Sequence, residues 1–380
     1  MLGGQYFRAI KEMHEQYGPI VRINPNEVHC NDPDFLEVLN PLGGRRTNKP
    51  ISTGKRTGTP DSMVTTVDHD IHRRRRNAVS AFFSNKSIRS MEPVLQKYLA
   101  QFCRRLSEQR PDKPVELHNM FRALTNDFIT TYAFGQSVGL LNEVDFGRSY
   151  YESSDVFFPD FVYSLPLWVA PKIFPSLAEL AKKQQQWMDM VFEIRDSPNM
   201  SKAKGTIFEG ILNCGLPDED LAGKRLLAEA QLIVFAGEGT TAYTLNAATY
   251  ELLAHPEVLQ ELQKELSEAI PDANKVPSFS QVETLPFLSA VIQETVRLHP
   301  GVMARQARIS PDVPVTYKTK SGWDYIIPPG TVMSMSPYTT HLKEDLFPDP
   351  YEFRPRRWID EPRLDKGFHG FARGSRNCVG

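Results

Sequence analysis

The chain has 380 residues, 41% of them hydrophobic, 24% charged and 10% aromatic, which is globular composition with ample apolar material for a core and excludes bulk disorder. Forty-four Lys and Arg against 46 Asp and Glu leave a formal charge of -2, so the molecule as a whole has no electrostatic case for nucleic acid as a partner, and any basic patch is local. At this length two lobes or one large helical domain are expected. The four cysteines, at 30, 103, 214 and 378, share no short spacing, which indicates neither a disulfide framework nor a CxxC-type zinc site and suits a reducing, intracellular location. No window offers the roughly 18 continuous apolar residues that a spanning helix needs, so no transmembrane segment is predicted in this chain.

Gln5 to Tyr17 is amphipathic with a helical period, and Gly18-Pro19 stops it before Ile20-Val21-Arg22-Ile23, whose alternation predicts a strand. Asn24-Pro25-Asn26 reads as a hairpin turn into a second strand, Glu27 to Cys30. From Glu92 to Tyr250 the apolar spacing is mostly helical, and a second small β region is expected from Val313 to Met335, where Lys-Ser-Gly and Pro-Pro-Gly turns divide β-rich segments. Phe347 to Gly380 is dense in Pro, Gly, Phe and Arg with no period, and a long irregular segment in a compact protein is usually functional. Between Asp160 and Lys172 a proline-broken apolar stretch reads as a buried connection, or as a patch that meets membrane or admits an apolar substrate.

Four motifs carry chemistry. The chain's last ten residues, Phe371-Ala-Arg-Gly374-Ser-Arg376-Asn-Cys378-Val-Gly380, hold a cysteine in a glycine-flanked loop that exposes its sulfur; the pattern arises by chance with a probability on the order of 10⁻⁴. Glu294-Thr-Val-Arg297 lies in the helical pattern Leu285 to Leu298, and its i,i+3 spacing puts carboxylate and guanidinium on one face. Ala236-Gly237-Glu238-Gly239-Thr240-Thr241 sits inside a helix spanning Leu226 to Leu253; two mid-helix glycines cost roughly 1 kcal/mol each relative to alanine, so they mark a close approach, a kink or a helix-packing site. His69-Asp-Ile-His72-Arg73-Arg74-Arg75-Arg76 is a basic helical run in which His72 and Arg76 share a face.

In this order, HRRRR, AGEGTT, ExxR, PxRW (Pro355 to Trp358) and FxxGxRxCxG resemble the cytochrome P450 family over essentially the whole chain, most closely its fungal microsomal branch. Arg297-Leu-His299-Pro300, Ile327-Pro-Pro-Gly330, His341 and Phe347-Pro-Asp-Pro350 follow the family order too. The resemblance implies a mainly α fold with a small β region. It implies one P450 domain over 1–380, with a β-rich lobe from parts of 18–60 and 305–340, a helical lobe over 65–300 and a haem-binding loop over 345–380. It implies haem b, iron protoporphyrin IX, with Cys378 as the proximal thiolate, a ligand that pushes electron density onto iron and favours O–O cleavage. Phe371, Gly374, Ala236 and Gly237 are expected around the ring, Gly374 letting backbone approach without a Cβ, and the distal glycines making room for dioxygen. His72, Arg76, Arg308 and Arg376 are the expected propionate donors. Glu294, Arg297 and Arg357 are expected to form a structural ion-pair network that fixes the loop of Cys378. Thr240 is expected to hydrogen-bond bound oxygen and deliver protons. The family's acid before that threonine is Gly239 here; Glu238 lies one position earlier, about 100° away around the helix, which leaves it a relay through water or none.

The activity so implied is a monooxygenase of secondary metabolism that inserts one oxygen atom from O2 into an apolar small molecule such as a terpenoid, fatty acid or polyketide, with electrons from NADPH through a flavoprotein reductase. Leu232, Phe235, Ala236, Val302 and Met303 are candidate pocket walls. Arg73 and Arg74 face outward, either as a basic proximal surface that steers an acidic electron donor or as a solvated face. Two alternatives are a haem-thiolate isomerase or dehydratase, against which Thr240 argues, and a non-catalytic fragment. Gly380 stands two residues beyond Cys378, and the resemblance places a helix after that cysteine and a membrane anchor ahead of the Tyr-Gly-Pro region. The expectation is therefore a chain truncated at both ends that folds poorly around haem, with the full-length protein contacting the endoplasmic reticulum membrane on its cytosolic face.

Overall fold

A computed structural model describes residues 5–53, 59–110, 112–157, 177–197, 203–319 and 322–380; the apolar stretch 160–172 lies outside them. Helix α1 (Tyr6–Tyr17) buries Ile10 and His14 and stops at Gly18, whose φ of 93° is left-handed backbone that favours glycine. Strands β1 (Ile20–Asn24) and β2 (Glu27–Cys30) form the expected hairpin, with Ile20 opposite Cys30. Near the other end of the chain come β3 (Gln306–Ile309), β4 (Val315–Lys318), β5 (Asp324–Ile327) and β6 (Val332–Met335). One sheet runs in the order β1-β2-β6-β3, with β6 parallel to β2 and antiparallel to β3; β4 and β5 make a separate two-stranded ladder. Helix α2 (Phe35–Leu39) covers this region, its Phe35, Leu36 and Leu39 packed with Tyr317, Met333 and Met335.

The β region begins earlier than Val313, where the local pattern put its start, and within the 305–340 that the resemblance implies. Gln306 to Ile309 has no clear alternation of burial, and its strand character comes from two partners that local pattern does not show: β6 on one side and a bridge from Ile309 to Asn48 on the other.

The helical part begins with α3 (His69–Ser80), capped by the Asp68 carboxylate, which accepts from the N–H groups of Asp70 and Ile71. Next come α4 (Asn85–Ser90), α5 (Glu92–Ser107), α6 (Leu117–Phe134), α7 (Arg148–Phe157), α8 (Leu177–Asp196) and α9 (Ile207–Asn213). Helix α10 (Gly223–Ala254) is 32 residues long and packs lengthwise on α6, the most extensive helix contact described. Helices α11 (Pro256–Ala269), α12 (Phe279–Val282) and α13 (Pro286–Leu298) complete this part. Phe134, Tyr150, Tyr151, Trp187 and Phe208, all fully buried, centre the main core among α6 to α10. After β6 come α14 (Pro337–His341) and α15 (Arg357–Asp360), and from there to Gly380 only short 3₁₀ turns interrupt irregular chain.

Candidate functional site

Cys378 is exposed and free at the end of the irregular segment. Its N–H donates to the Phe371 carbonyl at 2.9 Å and closes the loop, while Ala372 and Gly374 turn the chain with φ of 56° and 72°. A Cβ on Gly374 would overlap the carbonyl oxygen of Asn40 and lie 2.9 Å from that of Pro41. The glycine is therefore required by the chain at 40–41, whatever else its missing Cβ makes room for. Arg76 on α3 holds the residue before the cysteine: its two terminal nitrogens donate to the Asn377 carbonyl and to Asn377 Oδ1, each at 2.6 Å. Where a propionate donor was expected, this guanidinium is engaged with the cysteine loop.

The loop's foundation is a closed polar network. Glu294 accepts from Arg297 through Oε1 and Oε2, both at 2.8 Å, and from Arg357 at 3.1 Å, so the three residues expected to meet do meet. The Trp358 indole and the Arg354 N–H complete that carboxylate, each at 2.9 Å. Arg297 also donates to the carbonyls of His341, Pro350 and Glu352. His341 takes the His369 N–H on Nε2 at 3.0 Å, which leaves Nδ1 protonated to donate to the Arg297 carbonyl at 3.1 Å. Burial holds His341 well below the usual histidine range, so the imidazole is the neutral form this geometry requires. The path from α13 through His341 and His369 thus reaches the loop nine positions before Cys378.

A second buried cluster, of basic side chains, is built differently. His72, Arg308 and Arg376 are joined by Lys49, and none of the four pairs with a carboxylate among the described residues. Arg376 donates to the carbonyls of Thr47, Thr66, Val67 and Asp68 at 2.8–3.1 Å, and Lys49 Nζ donates to Val64 at 2.6 Å. Arg308 gives one bond to Ala307, and its buried Nε has no partner. Burial pushes Arg308 down to about 10, and burial together with Arg308 pushes Arg376 to about 10. His72 falls to about 2, first through burial and then through Arg376, Lys49, Arg76 and Arg308. Uncompensated buried charge is costly, so this cluster fits a group that brings two carboxylates. The two propionates of haem b are such a pair. Lys49 was not foreseen: a single lysine between Asn48 and Pro50 carries no sequence pattern. Among the described residues no group of three or more His, Cys, Asp or Glu is placed to hold a metal, whereas a porphyrin iron needs only one ligand from Cys378.

On α10, Ala236 and Thr240 are exposed, and a Cβ on Gly239 would meet nothing within 4 Å, so these residues form an open face. Gly237 is different: a Cβ there would lie 2.7 Å from Ile129 Cγ1 of α6. Gly237 is a helix-packing glycine, which corrects its assignment to making room for dioxygen. The Thr240 hydroxyl donates to the Ala236 carbonyl at 2.8 Å, and Gly301 lies so close that a Cβ would sit 3.3 Å from Thr240 Cβ. Val302 and Met303 beside it are exposed; Phe235 packs edge-on against Trp187, and Leu232 is part of the same core. Glu238 is buried and bonded to α6 and α7, away from the Thr240 face. Arg74, expected on either a basic docking surface or a solvated face, is paired with Glu219 and Asp220 at 2.9 and 2.8 Å, which disfavours the first. Arg73 lines a cavity of about 520 Å³ with Arg45, Arg46, His69, His72 and Arg76.

The family model of Cytochrome P450 matches residues 1–380. The chain is 35% identical to Cytochrome P450 monooxygenase tpcC of Cochliobolus heterostrophus, an alignment covering 99% of this chain and 75% of that protein. It is 33% identical to Cytochrome P450 monooxygenase TRI4 of Trichoderma arundinaceum over 99% and 75% of the two chains, and 35% identical to the Fusicoccadiene C-8 hydroxylase of Phomopsis amygdali over 99% and 76%. The chain belongs to the cytochrome P450 family. With these relatives it is a haem-thiolate monooxygenase, an oxidoreductase that incorporates oxygen from O2.

Proposed function

We propose that this chain binds haem b through the Cys378 thiolate, sets the propionates among His72, Lys49, Arg308 and Arg376, and oxygenates an apolar small molecule at the open face of α10. When bound, the haem supplies activation of dioxygen and transfer of one oxygen atom into a C–H or C=C bond. The observation that carries the reading is an exposed free cysteine on an anchored loop together with a buried cluster of Lys49, Arg308, Arg376 and the His72 imidazole, none of them paired with a carboxylate among the described residues.

The chain's own contribution follows from its geometry. Arg76 and the Glu294 network hold the cysteine loop, so the sulfur is presented by a rigid support. Thr240 brings the one hydroxyl described on the turn 236–240 to the open face, where it can pass a proton and re-form its bond to Ala236. Ala236, Val302 and Met303 offer apolar contact for substrate. A substrate of terpenoid or polyketide kind suits that lining, and one relative is named for C-8 hydroxylation of fusicoccadiene. Electrons from NADPH arrive through a flavoprotein reductase, and the exposed Arg73 offers a charge for docking of an acidic partner. The working location is the cytosolic face of the endoplasmic reticulum membrane, although no described helix is long and apolar enough to cross a membrane.

The test is the absorption spectrum of the reduced, carbon-monoxide-bound protein. Wild type is expected to show thiolate ligation, and Cys378→Ser to lose it while keeping a folded far-UV signature. A thiolate spectrum that survives in the variant overturns the ligand. Thr240→Ala should retain that spectrum and release peroxide in place of product.

A further inference from the structure

Glu238 is 1% exposed and stands two residues before Thr240, yet it serves neither solvent nor the open face. Its Oε1 receives two nitrogens of Arg122 at 3.1 Å, and its Oε2 receives Asn126 Nδ2 at 2.5 Å and the Tyr150 hydroxyl at 3.1 Å. Its backbone carbonyl accepts the Thr125 hydroxyl at 3.1 Å. Arg122 continues outward to Ser154 at 2.8 Å and to both oxygens of Asp155 at 3.1 and 3.3 Å, and lies 4.0 Å from the centre of the Tyr151 ring. Three helices meet in this junction: α6 gives Arg122, Thr125 and Asn126, α7 gives Tyr150, Tyr151, Ser154 and Asp155, and α10 gives Glu238.

Two features make α10 dependent on such a junction. Its turn from 236 to 240 contains two glycines, and the Thr240 and Thr244 hydroxyls back-bond to carbonyls four residues earlier, all of which weaken or bend a helix. Gly237 against Ile129 sets how near α10 comes to α6, but a glycine contact does not set rotation. Meanwhile α7 lies chiefly along α8 and reaches α6 and α10 through these side chains. Glu238 is also poorly placed as a proton carrier: both its oxygens accept from donors of α6 and α7, none of them on the Thr240 face, and the group that continues from it to the exposed Asp155 is a guanidinium, which does not give up its proton.

We infer that Glu238 is a positioning residue that locks the rotation of α10 and so the placement of Thr240, with Arg122 carrying the tie to α7, and that it delivers no proton itself. The inference rests on the reading of Thr240 given above. Glu238→Gln keeps the size and removes the ion pair. Amide hydrogen exchange should quicken about 10-fold or more in peptides covering 236–243 and 150–157, and stay unchanged in 286–298. With lauric acid as probe and a reductase supplying electrons, peroxide formed per NADPH should rise several-fold, and adding Glu238→Gln to Thr240→Ala should raise it no further. The pH profile of kcat should keep its wild-type shape. Unchanged exchange overturns the inference, as does an additive effect on Thr240→Ala or a shifted pH profile, the mark of an independent relay. If the glutamine variant fails to fold, Arg122→Lys keeps the charge, loses the fork, and should speed the same peptides. Exchange does not depend on turnover, so an inactive wild type would count against the proposed function and leave the exchange result standing.

Discussion

Two clusters of buried cations support the cysteine loop, and they are built in opposite ways. Around Glu294 every charge finds a partner within the chain: Arg297 and Arg357 share one carboxylate, carbonyls of the irregular segment take the remaining donors, and a tryptophan fills the last acceptor site. Around His72 the chain supplies cations and carbonyls with no paired carboxylate among the described residues, Asp68 acting on Arg376 only at a distance; it leaves Arg308 Nε without a partner and holds Lys49 well below the usual lysine range through burial and the charges of Arg308 and Arg376. A network that closes on itself is scaffold. One that stays electrically open is a seat for something of opposite charge, and the difference is visible only when each donor is followed to its acceptor.

The comparison breaks first at Arg297. Replacing it with leucine takes the bidentate partner from the Glu294 carboxylate at zero exposure, leaving Arg357, Trp358 and one N–H, and orphans the carbonyls of His341 and Pro350; breaking a buried pair in this way costs about 3–5 kcal/mol, and urea unfolding should show that loss with haem absent as well as present. Arg308→Met should do the reverse. Without haem it removes an uncompensated charge, and the midpoint of unfolding should hold or rise. Hemin titration should nevertheless weaken about 10–100-fold, the worth of a charge-assisted bond. A variant that loses stability and haem affinity together would show that Arg308 is scaffold too.

Acid sharpens the contrast. Burial pushes His29 to about 3 and His369 to about 4, and His72 to about 2. Unfolded histidines take up protons near pH 6.5, and these folded ones refuse them. Stability is therefore full above about 6.5 and declines as pH falls from there toward the folded values, by about 1.4 kcal/mol per imidazole in the first unit. Bound propionates would neutralise the cations that depress His72 after burial does, so haem-loaded protein should lose less stability between pH 6.5 and 5 than haem-free protein. Equal losses would remove His72 from the seat. The smallest effect separates two glycines of one turn. Gly237→Ala should cost about 1–3 kcal/mol by pressing on Ile129, whereas Gly239→Ala faces open space and should gain up to about 1 kcal/mol of helix propensity.

Much of the scaffold is legible in sequence because its logic is local or ordered: Glu294 and Arg297 share a helix face at i,i+3, and the glycines around Cys378 announce a tight loop. The open cluster is legible only in part. His72 and Arg76 have helical spacing, but Lys49 has no pattern, and the partner of Arg76 lies 301 positions away at Asn377. Glu238 illustrates the same limit. Its spacing from Thr240 shows only that the two face different ways; its partners Arg122, Asn126 and Tyr150 are 88 to 116 positions distant and become neighbours only when α6, α7 and α10 pack. The strand Gln306–Ile309 escapes for a like reason, being defined by its neighbours β6 and Asn48.

The claim that Lys49, Arg308 and Arg376, with the neutral His72 beside them, await two carboxylates is tested most directly by titrating the chain with hemin and, in parallel, with its dimethyl ester, which keeps the ring and iron and removes both propionate charges. The account predicts that wild type binds the free acid at least about 100-fold more tightly, and that Lys49→Met combined with Arg308→Met abolishes most of that preference. Equal affinity of wild type for acid and ester would contradict it.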